Sequence, residues 1–189
     1  MTTIILASKS KGRREALDIL CLKYEVIPSN IDESSIRDSN PKDLAEKLSI
    51  AKAKDVGDMY KNAIVIAGDC FVTYKNKIYE KPKTKEEAFL MLKKLSGVDQ
   101  EVIGGLAVYN SRTGKLNSCA DITIVRFRKL TDYEINNYIE NNPVLGYSAS
   151  FDGKGLMRFA ESINGSTTGI SPFPMHKLIE FLRENNVKV

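Results

Sequence analysis

A chain of 189 residues, 42% hydrophobic and 28% charged, is composed like a soluble globular protein and suffices for one sizeable core or two small lobes. Its net charge of +4 permits an anionic substrate without demanding nucleic acid. No apolar run approaches the roughly 18–20 residues of a membrane span. Residues 1–5 lack the pattern of a signal peptide, and Cys21, Cys70 and Cys119 form no CxxC. Neither a disulfide framework nor a zinc cage is therefore expected, and a reducing, cytoplasmic setting is the default.

The chain alternates strand and helix signals. Ile4-Ile5-Leu6-Ala7 suits a short buried strand. A turn follows, with Ser10 as N-cap, and a helical period begins at Ala16 and Leu17. Residues 24–28 predict a second strand. Asn40 and Pro41 open a helix to about residue 56. Residues 63–69 form an apolar run ending in Gly68-Asp69, read as a central strand with a functional tip. Residues 71–74 and 77–80 flank Asn76 as a hairpin. Residues 84–95 are an amphipathic helix stopped at Gly97, and long strands over 101–109 and 116–127 enclose a turn at 111–114. Thr131 caps a helix to Glu140, with Glu134 completing a capping box. Residues 146–169 are rich in Gly and Ser and predict irregular chain with one short strand over 156–159. Pro172 or Pro174 opens a last helix to about Glu184. The expected fold is α/β, one unit of mixed twisted sheet flanked by helices.

The chemistry available is narrow. The single histidine, His176, removes most histidine-dependent triads and metal sites. No P-loop or GxGxxG occurs. Arg13 and Arg14 at the first helix start offer forked donors beside free backbone N–H groups, which suits a polyphosphate. Asp69, behind a glycine at a strand end, and Glu33, in a polar turn, are candidate acids for holding Mg²⁺ or orienting water. Lys52 lies on a helix whose other face is apolar. Pro82 holds the backbone of Lys81 away from helix.

Taken in order, these segments resemble the Maf family of nucleoside triphosphate pyrophosphatases along nearly the whole chain. The resemblance rests on Leu6-Ala7-Ser8-Lys9-Ser10-Lys11-Gly12-Arg13-Arg14, on the acidic Asp32-Glu33, and on Leu48-Ser49-Ile50-Ala51-Lys52-Ala53. It continues through Gly68-Asp69-Cys70, Glu80-Lys81-Pro82 and the run 87–97 ending in Leu95-Ser96-Gly97. The departures are one extra residue and no proline in the first motif, Gln100 where members carry histidine, and Asp152 where many carry glutamine near the base. The closing motif reads Thr168-Gly169-Ile170-Ser171-Pro172-Phe173-Pro174.

The resemblance implies an elongated bilobed fold, shared with inosine triphosphate pyrophosphatases, with a central cleft. It implies hydrolysis of the α–β phosphoanhydride to monophosphate and pyrophosphate, with house-cleaning of noncanonical nucleotides and a link to septum formation. Asp69, Glu33 and Lys81 would be catalytic. Ser8, Ser10, Arg13, Arg14, Lys52 and Asp152 would bind substrate. Asp69 and Glu33 would hold a divalent cation, Mg²⁺ or Mn²⁺. A homodimer is common among such proteins, and no nucleic-acid or membrane partner is expected. The alternative is a non-catalytic nucleotide or nucleic-acid binding regulator, allowed by the mild basic excess and the lysines at 75–85. Against it stand the absence of a recognised nucleic-acid motif and of aromatics arranged for base stacking.

Overall fold

The computed structural model describes every residue except Met1, Thr167, Gly169 and Ser171, so the Gly169 and Ser171 positions of the closing motif lie outside the described residues. The elements run β1 (Thr3–Leu6), α1 (Lys11–Asp18), β2 (Glu25–Val26), α2 (Pro41–Gly57), β3 (Ala63–Tyr74), β4 (Lys77–Tyr79), α3 (Lys85–Leu95), β5 (Asp99–Asn110), β6 (Leu116–Phe127), α4 (Asp132–Asn141), α5 (Gly153–Phe159), β7 (Ala160–Asn164) and α6 (Met175–Glu184). The α/β expectation holds. The mixed sheet has order β2-β1-β3-β5-β6-β7, with β4 pairing β3. β1 runs parallel to both β2 and β3, whereas the β3–β4 and β6–β7 pairs are antiparallel.

The chain divides into two compact units, Met1–Cys70 with Gly104–Asp121 and Thr168–Val189, and Phe71–Ile103 with Ile122–Thr167. In the first unit the two-residue period of the strands sorts side chains to opposite faces. Leu6, Ile64 and Ile66 pack with Leu17 of α1 and with Leu178 and Leu182 of α6. Ile5, Ala63, Val65 and Ala67 pack instead with Ala53 and Val56 of α2. Helix α2 lies close because Gly105 has no side chain: a Cβ there would sit 2.3 Å from the Ala45 carbonyl oxygen. In the second unit Phe127 meets Phe151 and Phe159 edge to face, and Tyr138 meets Phe159 likewise.

Two sequence expectations are corrected. Asp69 is no strand tip, because β3 runs unbroken from Ala63 to Tyr74. Residues 156–159 are not a strand but the end of α5, capped by Asp152, with Leu156 and Phe159 buried one turn apart and Met157 exposed; the following strand is β7. The caps at Ser10 and Thr131 are as read and the Thr131–Glu134 capping box is complete; Asn40 and Thr84 are the N-caps of α2 and α3.

Candidate active site

Parity places the central carboxylate. Asp69 follows Ala63, Val65 and Ala67 on the β3 face that α2 covers. On α2, Ala45, Ser49, Lys52 and Val56 fall at helical spacing and are all buried. Lys52 therefore reaches the sheet rather than solvent, and its Nζ lies 3.4 Å from Asp69 Oδ1. Their side chains are only 8% and 13% exposed. The same ammonium lies 3.1 Å from Glu33 Oε1, whose side chain is 58% exposed. Glu33 opens a short 3₁₀ turn, Glu33–Ser35, capped by Asp32. The sequence paired Glu33 with Asp69 as two acids; the structure sets a lysine between them.

The turn after β1 supplies the second cation. Ser10 caps α1 by accepting from the Arg13 backbone N–H. Ser8, itself buried, accepts from the Ser10 N–H at 3.1 Å and from Arg13 Nη1 at 3.0 Å. These bonds turn Arg13 inward, and its Nη2 lies 3.5 Å from Asp69 Oδ1. Arg14 is exposed, and its carbonyl receives the Tyr24 hydroxyl. Adjacent arginines of the motif thus have different surroundings, because consecutive helix positions face different directions.

Asp69 Oδ1 also accepts from the Cys70 N–H at 3.1 Å. Its other oxygen, Oδ2, is buried without a hydrogen-bond partner, as is Arg13 Nε. A carboxylate oxygen buried without a donor is costly. Such an oxygen can accept a proton or a cation. Sequence reading missed two contributions: Ser8 as the brace of Arg13, and the Cys70 amide as a donor to Asp69. Adjacency to Asp69 was the available signal for the second. Burial pushes the Cys70 thiol up to about 11.

The second unit carries the remaining candidates. Lys81 is exposed, just past β4. The neighbouring Glu80 carbonyl accepts the Ala149 N–H at 3.1 Å, which ties the Lys81 segment to the turn before α5. Asp152 is foremost the N-cap of α5, accepting from the N–H groups of Lys154 and Gly155. Gln100, the substitute for histidine, is buried with both carboxamide atoms unpartnered. The His176 ring lies 2.8 Å from the Thr168 hydroxyl. Among the described residues no three His, Cys, Asp or Glu side chains cluster as a metal cage, and no helix is long and apolar enough to cross a membrane.

A strand, a capped turn and a helix that together present two cations and a half-paired carboxylate define an α/β protein built to handle an anion. A family model described as Maf-like protein matches residues 3–185. The chain is 34% identical over 191 residues to a dTTP/UTP pyrophosphatase of Ruminiclostridium cellulolyticum, covering 100% of this chain and 99% of that one. It is 35% identical over 195 residues to a dTTP/UTP pyrophosphatase of Clostridium botulinum, covering 100% of both. A third dTTP/UTP pyrophosphatase, from Carboxydothermus hydrogenoformans, is 35% identical over 183 residues, 96% of this chain and 97% of its own. The chain belongs to the Maf family.

Proposed function

We propose that this protein is a nucleoside triphosphate pyrophosphatase, cleaving between the α and β phosphates to release monophosphate and pyrophosphate. The observation that carries the reading is the Arg13–Asp69–Lys52–Glu33 cluster, with Asp69 Oδ2 buried and unpartnered. Support comes from relatives of matching length that are named dTTP/UTP pyrophosphatases, so uracil and thymine nucleotides are the first substrates to assay.

Arg13 and Lys52 bind phosphate oxygens and offset charge as it builds on the pyrophosphate leaving group. Both cations share Oδ1 of Asp69, which leaves Oδ2 to accept a proton from, or orient, the attacking water. Ser8 and Ser10 hold the turn that aims Arg13. Arg14 is a further phosphate contact. The donor set fits a magnesium-type ion, which takes one or two carboxylates and completes its shell with phosphate oxygens and water. Asp69 and Glu33 would hold it, the bare Oδ2 being the observation that favours this. Such an ion supplies Lewis-acid polarisation of a phosphoryl oxygen.

The test is product analysis by chromatography after incubation with UTP or dTTP and Mg²⁺ or Mn²⁺. The expected products are monophosphate and pyrophosphate, with turnover abolished by a chelator. Diphosphate plus orthophosphate would exclude the reading.

A further inference from the structure

Four charges meet around Asp69, and they cancel. Arg13 and Lys52 bring the positive charges, Asp69 and Glu33 the negative. The four differ in their freedom to move. Lys52 Nζ lies 3.4 Å from Asp69 Oδ1 and 3.1 Å from Glu33 Oε1, and its side chain is 8% exposed. A buried ammonium is costly without a partner. Asp69, on β3, is nearly as enclosed and also faces Arg13 Nη2 at 3.5 Å. Glu33 is different. It opens a 3₁₀ turn in which no residue is buried, and its side chain is 58% exposed. Arg37 holds that turn by its backbone, Nη1 donating to the Glu33 carbonyl at 3.3 Å and to the Ile36 carbonyl at 2.9 Å. The Glu33 carboxylate is therefore the member free to leave the cluster, since a solvent-facing ion pair is weak.

A divalent cation taken up alone would draw both carboxylates away from Lys52 and strand its ammonium beside more positive charge. A phosphate oxygen taken up alone would displace Glu33 from Lys52 and leave that carboxylate no partner but water. Together the two exchanges balance. Lys52 passes from Glu33 to the phosphate oxygen, while Glu33 and the bare Oδ2 of Asp69 turn to the cation. We infer that Lys52 interlocks the two ligands: a divalent cation and a phosphate bind this protein synergistically, and each binds poorly without the other. The coupling is reciprocal, because each ligand must raise the affinity of the other by the same factor. The inference rests on the reading of this cluster as a phosphate and cation site and extends it to the order in which the site fills.

Binding of Mn²⁺, read from the electron paramagnetic resonance signal of the free ion, tests this without turnover. Orthophosphate serves as the anion, and a protein-free control subtracts its own complex with the metal. In the wild type, saturating orthophosphate is expected to tighten Mn²⁺ binding by roughly tenfold or more, the ordinary scale of coupling between sites. Lys52→Met should bind Mn²⁺ alone more tightly than the wild type does, and orthophosphate should then leave that affinity nearly unchanged. A lysine that acted only as a nearby charge would raise the first value and keep the coupling intact. Glu33→Gln, on an exposed turn, should bind orthophosphate without metal more tightly than the wild type, as calorimetry reads it, and decides the matter if Lys52→Met does not fold. Equal Mn²⁺ affinity of the wild type with and without orthophosphate would overturn the inference, as would coupling that survives in Lys52→Met or an unchanged orthophosphate affinity in Glu33→Gln. Pyrophosphate release from UTP, measured in parallel, tests the pyrophosphatase reading by itself. Synergy without turnover would remove that reading and leave the interlock, and turnover without synergy would do the reverse.

Discussion

Asp69 divides its labour between its two oxygens. Oδ1 balances Arg13, Lys52 and the Cys70 amide, while Oδ2 stays bare. Asp69→Asn keeps the shape of the side chain but removes the charge that a general base or metal ligand needs. We predict unchanged circular dichroism and a fall in turnover of at least about a hundredfold, the usual scale for losing acid–base catalysis. The rate of pyrophosphate release measures it, and near-normal activity would remove Asp69 from the mechanism. Asp69 was legible as an acid behind an apolar strand run, whereas Lys52, read on the side of its helix opposite the apolar face, was legible only through the ordered motifs of the resemblance. What the residues touch was not legible. Nothing in Ser8 or Cys70 as letters says that a hydroxyl will brace Arg13 or that an amide will donate to Asp69. Those contacts depend on how the turn after β1 and strand β3 meet in space.

At the scale of elements, α2 sets the position of Lys52, and Gly105 sets the position of α2. A methyl group at Gly105 would meet the Ala45 carbonyl carbon and oxygen at 2.6 Å and 2.3 Å, where backbone must move. Gly105→Ala is expected to cost about 1–3 kcal/mol, lowering the melting temperature by roughly 2–4 °C for each kcal/mol in a chain of this size. Gly153→Ala is the control, since a Cβ there meets nothing within 4 Å. Calorimetric melting of the two variants distinguishes the clash from the mere addition of a methyl group; equal melting temperatures would mean that α2 is not held by this contact. Long, periodic elements were readable in advance. Helices α2 and α3 showed their apolar stripes, α4 its cap, and β6 its bounds. Helix α5 was not readable. Seven residues hold one buried i,i+3 pair, Leu156 and Phe159, and Gly153 and Gly155 depress helix propensity. Its cap, Asp152, also attracted a chemical reading, and the structure gives it a local duty first. Strand β3 was cut short on paper because Asp is disfavoured in strands. The two cations beside Asp69 remove that objection.

The whole molecule is assembled from chain segments that lie far apart in sequence. The first unit draws on three stretches and the second on two, and β3, β5 and β6 each contribute residues to both. This has a consequence for how the protein comes into being. As synthesis proceeds, Leu6, Ile64 and Ile66 emerge early, yet their core partners Leu106 and Val108 follow some forty residues later, and Phe173, Leu178 and Leu182 more than sixty residues after those. The apolar side of β1 and β3 that faces α6 therefore waits exposed on the ribosome until α6 is made. Such late, long-range closure is slow and prone to aggregation. A chain ending at residue 170 should lack a cooperative melting transition and should bind a dye for exposed apolar surface, in contrast to the full-length protein. If it melted sharply, α6 would be an accessory to the core and not its final piece. The candidate site, built on the first seventy residues, would then become usable only once α6 has left the exit tunnel.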